Sequence, residues 1–227
     1  VCRRPVLRSL REMPHALIGA ESGAGKTTLL HALLTGLFLT HGPEEIRAVL
    51  IDPKTTEFPL YTGLPHLAAD PATTTARARV YLEAAVEEMR RRYARLQHAG
   101  TRDFYTLPDT PLLLVVIDEY ESLCGNASIA WAVHTLAARG RAAGVHLILA
   151  TQRPSAKVLT GALKANFPTR IALRVASGVD SRVILDHMGA ERLLGQGDAI
   201  LVDHHGVTRM QVPLPSPDDL ERLRHPK

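Results

Sequence analysis

Residues 15 to 40 confine the fold more tightly than any other stretch of the chain. A short apolar run, "HALIG", leads into "AESGAGKT", and from Lys26 to Thr40 the sequence is apolar on nearly every side. The first run reads as a buried strand and the last as a helix, so the glycine-rich segment between them is a strand-to-helix turn. Such a turn is a flexible connection, a serine nucleophile elbow or a cradle for phosphate. An elbow around Ser22 asks for glycine at positions 20 and 24, and both are alanine. A phosphate cradle asks for a small residue at position 20 followed by Gly25-Lys26-Thr27, and the chain supplies Ala20 and all three.

The cradle comprises Ala20, Glu21, Ser22, Gly23, Ala24, Gly25, Lys26, Thr27 and Thr28. Backbone N–H groups of residues 23 to 27 can wrap a β-phosphate because glycine lets the loop curl without a Cβ in the way. The helix behind it points its positive end at the same anion. Lys26 then reaches the β- and γ-phosphates, and the Thr27 hydroxyl ligates Mg²⁺.

A second constraint sits downstream. "PLLLVVIDEY" is a continuous apolar run closed by two acids, the pattern of a strand buried on both faces of a parallel sheet. Asp118 and Glu119 fall at its carboxyl end, the edge where such sheets bind ligands. Charge placed there is costly unless it is paired, and a metal-bound triphosphate would pair it. Asp118 suits the metal side, and Glu119 suits orienting and polarising an attacking water. Gln152, closing the strand "HLILATQ", places an amide where it can sense the γ-phosphate.

The rest of the chain alternates in the same way. Expected strands are "AVLIDP" and "RIALRV"; expected helices cover about 128 to 139, 158 to 164 and 180 to 187. Leu82, Val86, Met89, Tyr93 and Leu96 form one stripe of a long helix, whose "RRR" cluster reads as a solvated face with Glu87 and Glu88 four residues before Arg91 and Arg92. "AILV" and "VTRMQV" flank "DHHG" as a hairpin. The expected fold is α/β: a mainly parallel sheet flanked by helices, with a C-terminal β-hairpin.

Composition narrows the function classes. At 227 residues and 45% hydrophobic the chain has material for a proper core. Its longest aliphatic run, Leu112 to Ile117, is far short of the ~20 residues that span a bilayer. Cys2 and Cys124 are too few for a disulfide framework or a thiolate metal site, which fits the cytoplasm. A net charge of +4 permits an anionic partner. Adjacent His204 and His205 beside Asp203, with His187 elsewhere, lack the helical spacing of a metal site. Phe104 and Tyr105 read as loop anchors rather than base-stacking groups.

The strings "MPHALIGAESGAGKT", "LIDPKTTEF", "VVIDEY", "RAAGVHLILATQRPS", "LKANFPTRIALRVAS" and "DSRVILDHMGAERLLGQGDAI" together resemble the motor domain of the FtsK/SpoIIIE family of DNA translocases over nearly the whole of residues 1–227. The resemblance implies a RecA-like P-loop NTPase core, ATP with Mg²⁺, and a ring, expected to be hexameric, around double-stranded DNA. It implies that Arg170 reaches a neighbouring subunit's γ-phosphate, and that loops around the fourth strand, with Arg141 before it and Lys157 and Lys164 after it, face the pore. Expected roles are chromosome segregation or conjugative DNA transfer, with any membrane attachment residing in segments outside this chain. The abrupt start at Val1 reads as a fragment of a longer protein. Ala20 departs from the family's glycine, the segment before "PLLLVVIDEY" is short, and neither the preceding small domain nor a winged-helix module is present. A type VII secretion ATPase that moves protein is the alternative; a nucleotide-locked assembly module is opposed by the intact Lys26, Asp118 and Glu119.

Overall fold

The computed structural model of the chain describes residues 5–224; Cys2 lies outside them. One seven-stranded sheet runs through it in the order β2-β3-β4-β1-β5-β6-β7. β1 (His15–Gly19), β2 (Ile46–Ile51), β3 (Leu112–Ile117), β4 (Val145–Thr151) and β5 (Thr169–Leu173) are parallel, and β6 (Asp198–Asp203) and β7 (Gly206–Gln211) continue antiparallel as the expected hairpin. Parallel pairing explains the composition of the central strands: β3 and β4 are buried at every residue because helices cover both faces. Each fully buried aliphatic side chain there contributes about 1.5–3 kcal/mol relative to exposure.

Alternate residues of each strand feed two cores. On one face lie α2 (Thr75–His98), α4 (Ala127–Arg139) and α6 (Gly178–Leu185), with Leu82, Val86 and Met89 of the expected stripe packed against Val115, Leu147 and Ile184. On the other, α1 (Lys26–Thr40) packs Leu30, Leu34 and Phe38 against Leu114, Val116 and Tyr61. α1 is apolar all round because a second layer covers it. The C-terminal α7 (Pro217–Arg224) packs on its outer side, with Leu223 buried in the same cluster. α7 was not among the expected helices, although "SPDD" marks its start: Asp219 accepts the Ser216 N–H and Ser216 Oγ accepts that of Asp219.

Local capping sets the helix starts. Thr74 accepts the Arg77 N–H at the head of α2, and Asn126 accepts those of Ser128 and Ile129 at the head of α4. Two expected helices start or end elsewhere. The 158–164 segment is helical only over α5 (Gly161–Lys164), because Thr160 caps it by accepting the Leu163 N–H. α6 begins two residues before Asp180, capped by Ser177, and stops at Asp186 in the left-handed region, short of His187.

The "RRR" cluster needs a correction. Arg90 and Arg91 are exposed and pair with Glu87 and Glu88, whereas Arg92 is only 3% exposed. Its guanidinium donates to the carbonyls of Ala143, Gly144 and Pro111 and to Glu88. A planar fork with five donors can satisfy several loop carbonyls at once. Arg92 thus ties α2 to the turns that enter β3 and β4, and a solvated face describes only its neighbours.

Candidate nucleotide site

Register brings the strand ends of the central sheet to one edge. Gly19 lies opposite Thr151 and Ala172, and Ile117 lies opposite Ile51 and Leu149. The phosphate loop after β1, the acids after β3 and Gln152 after β4 therefore meet at the carboxyl edge, as the alternation required. The loop is fixed from both sides: Ala20 donates to the Thr151 carbonyl, Glu21 to that of Arg174, and Gly197 donates to Ala24. Gly25 has φ 107°, and a Cβ there would stand 2.8 Å from the Gly197 nitrogen, so the turn requires glycine. Among the described residues the N–H groups of Ser22, Gly23, Gly25, Lys26 and Thr27 donate to no protein acceptor. Such a row at the head of a fifteen-residue helix is a fitting cradle for phosphate. Ala20 is fully buried in the apolar core, so the departure from glycine adds a methyl group to the core.

The charged centre lies beside it. The Lys26 ammonium bonds Asp118 Oδ1 and, at 2.8 Å, Glu119 Oε1; all three side chains are nearly fully buried. Burial pushes the Asp118 carboxyl up from its ordinary value, and Lys26 opposes that shift. Glu119 has φ 53° and ψ 48°, a left-handed conformation that is uncommon outside glycine. Backbone strain of this kind collects at functional sites, and here it turns a carboxylate back over the strand end. Burying three charges with excess negative charge is unfavourable in isolation, and it leaves the site fit for a cation. Thr27 and Asp118, with the open N–H row, suit magnesium and the phosphates of a nucleotide.

A third segment, absent from the expected site, completes the edge. Asp52, fully buried after β2, accepts N–H bonds from Lys54 (3.1 Å), Glu57 (2.7 Å) and Phe58 (3.2 Å). The loop so held brings the Lys54 ammonium within 3.5 Å of Glu119 Oε1. It also places Glu57 Oε1 2.9 Å from the Thr27 hydroxyl, which donates to it. The signal in the sequence was "DPKTTEF" following an expected strand, polar residues at the ligand edge of a parallel sheet.

Other expected residues scatter. Gln152 is half-buried at the end of β4, and its amide makes no hydrogen bond among the described residues. Arg170 stands at the start of β5, the end farther from the loop, ion-paired with Asp186 and donating to the Phe167 carbonyl at 3.2 Å. Lys164 pairs with the same carboxylate at 2.6 Å, so it is an engaged charge at 15% side-chain exposure rather than a solvated one. Hydrogen bonds from Lys164, outweighing burial, and from Arg170 hold the Asp186 carboxyl below its ordinary value. Arg141 and Lys157 are exposed at opposite ends of β4, separated by seven strand residues or ~23 Å at the usual rise. The hairpin histidines have an unforeseen neighbour: Glu12, His204 and His205, all exposed, bring ligand atoms within 4.8 Å of one another. Phe104 is buried and anchors its loop against Gly144, while Tyr105 is partly exposed beneath the Arg11 guanidinium.

The profile of the FtsK/SpoIIIE family matches residues 1–110. DNA translocase FtsK of Listeria monocytogenes is 41% identical over 214 residues, covering 87% of this chain and 28% of that protein. DNA translocase SpoIIIE of Bacillus subtilis is 38% identical over 237 aligned positions, covering 96% and 30%. The chain thus spans under a third of the length of these curated relatives. Among solved structures, the pCW3 conjugation coupling protein TcpA with ATPγS aligns at TM-score 0.80 and 25% identity over 95% of this chain and 66% of that one. The cytoplasmic domain of the Thermomonospora curvata type VII secretion ATPase EccC aligns at TM-score 0.80 and 30% identity over 92% and 27%. The fold is that of RecA-like P-loop NTPases, a mostly parallel sheet flanked by helices.

Proposed function

The chain belongs to the FtsK/SpoIIIE family of ATPase motor domains, and on that premise we propose that residues 1–227 act as one motor domain that hydrolyses ATP in the cytoplasm to move double-stranded DNA through a ring, hexameric in its simplest form. The observation that carries this reading is the meeting of Lys26, Asp118 and Glu119 beside an open row of loop N–H groups.

The loop N–H groups hold the β-phosphate, and Lys26 exchanges its bonds to the two acids for phosphate oxygens. Thr27 and Asp118 would hold magnesium, which neutralises charge on the phosphates when bound. Once Lys26 turns to phosphate, Glu119 is released to orient the attacking water and accept its proton. Gln152 hydrogen-bonds that water or the γ-phosphate. Arg170 acts in trans on a neighbour's γ-phosphate after leaving Asp186, because in its own subunit it lies at the far end of β5. Exposed Arg141 and Lys157 grip DNA phosphates, with Lys164 joining when it leaves Asp186; contacts of this kind position without reading sequence.

Phosphate release measured with and without duplex DNA tests the reading. Stimulation by duplexes of unrelated sequence is expected, and a rate indifferent to DNA would overturn it. The likeness to EccC favours a second reading, movement of polypeptide, and stimulation by an unfolded protein but not by duplex would establish that one.

A further inference from the structure

The Thr27 hydroxyl carries the inference. A threonine that ligates a metal does so through an oxygen lone pair, and its proton must be given to some other acceptor. Among the described residues no hydrogen bond joins that hydroxyl to Asp118, whose Oδ1 receives the Lys26 ammonium. The proton goes instead to Glu57 Oε1, at 2.9 Å, across thirty residues of sequence. We propose that Glu57 is a positioning residue for the nucleotide's metal: by accepting the Thr27 proton it fixes the hydroxyl rotor, aims a lone pair at the metal position and strengthens the oxygen as a ligand. The proposal rests on reading the loop as an ATP and magnesium site.

Three features show that Glu57 is held for this task. Its own N–H is bonded at 2.7 Å to the fully buried Asp52, which also accepts the Lys54 and Phe58 N–H groups and so locks the turn. Its second oxygen lies 3.7 Å from His31 Nε2, on the helix that begins at Lys26, and His31 Nδ1 is in turn within 2.9 Å of the buried Tyr61 hydroxyl. Its side chain is 19% exposed, enough shielding for a charge-assisted hydrogen bond to matter and enough opening for an ion to approach. Outer partners that orient a metal ligand commonly change metal affinity 10–100-fold when removed.

The test is calorimetric titration of ATPγS into the wild-type chain, Glu57→Ala and Glu57→Gln, across a series of magnesium concentrations and in excess EDTA, with thermal melts to show that each variant folds. Glu57→Ala is expected to raise the magnesium concentration for half-maximal tightening by about tenfold or more, leaving ATPγS affinity in EDTA unchanged. Glu57→Gln, whose amide oxygen still accepts the proton, is expected to recover most of that loss. An unshifted magnesium dependence in Glu57→Ala would overturn the proposal. So would an equal loss in both variants, which would make the carboxylate charge and not the hydrogen bond the cause; equal weakening in EDTA would reduce Glu57 to a structural role. Failure of the underlying reading looks different: the wild-type chain would bind no ATPγS at any magnesium concentration.

Discussion

Two ion triads in this chain are built on opposite plans. In one, two acids, Asp118 and Glu119, close on the Lys26 ammonium, all three side chains under 8% exposed, with the half-exposed Lys54 reaching Glu119 from the rim at 3.5 Å. In the other, a single acid, Asp186, serves two cations, Lys164 and Arg170, and is itself 58% exposed. The buried triad carries excess negative charge at the head of a helix, and the peripheral one carries excess positive charge at the molecular surface. A metal with its nucleotide answers the first imbalance, and a phosphate group answers the second. Burial makes the first stiff and costly to disturb. Solvent makes the second cheap to open, as a group that must reach another molecule requires.

The largest effect is expected at the buried cation. Lys26→Ala leaves Asp118 without its cation and Glu119 with only the half-exposed Lys54, and breaking a buried pair costs about 3–5 kcal/mol. Denaturant unfolding should show that loss together with loss of ATPγS binding; an unchanged midpoint would mean that the triad does not hold charge in a dry environment. Glu119→Gln should keep nucleotide binding and lower turnover about 10²–10⁴-fold, the usual worth of a positioned base. Normal phosphate release by that variant would remove Glu119 from the chemistry.

A smaller, graded effect belongs to the opposite sheet edge. Burial, aided by nearby Arg141, lowers His15 to about 4, and burial with the charges of His15, Arg141 and Arg92 lowers His146 to about 3. Both stay neutral when folded, whereas in the unfolded chain they take up protons below 6.5. Stability is therefore complete above that pH and falls as pH drops from 6.5 toward about 4, by up to about 1.4 kcal/mol per pH unit for each group. His146→Gln should flatten the slope of stability against pH, and an unaltered slope would assign the acid sensitivity elsewhere.

The smallest stability effect is expected at the peripheral triad. With Asp186 so exposed, screening leaves Arg170→Ala worth about 0–1 kcal/mol in unfolding. Its functional effect should nevertheless be large, because mixing Arg170→Ala with Lys26→Ala subunits should restore part of the activity through interfaces that join an intact loop to an intact arginine. No rescue in demonstrably mixed rings would leave Arg170 a local ion-pair partner.

How much of this could be read from sequence follows from distance along the chain. The strand, loop and helix around Lys26 are contiguous, and the helix bounds 26 to 40 coincide with the structure. Asp118 and Glu119 were legible because two acids that end a six-residue apolar run are too costly to bury without a cation beside them. Glu57 and Lys54 were not, since their partners, Thr27 and Glu119, follow other strands and only the sheet order β2-β3-β4-β1 brings them together. Arg92 was misread because three of its four partners are backbone carbonyls, which leave no mark in sequence. The pairing of Lys164 with Asp186 was not legible, because Asp186 closes a different helix.

The central claim, an ATP-driven motor that grips duplex DNA by its phosphates, is tested most directly by triplex displacement at two salt concentrations, using duplexes with the triplex at either end. The account predicts displacement that requires ATP, proceeds from either end without regard to sequence, and is lost in Glu119→Gln. It also predicts duplex binding that weakens with salt by about 0.9 in log K per log salt for each phosphate neutralised, with a shallower slope in Lys157→Ala. Displacement that persists without ATP or in Glu119→Gln, or a strong directional bias set by sequence, would contradict it.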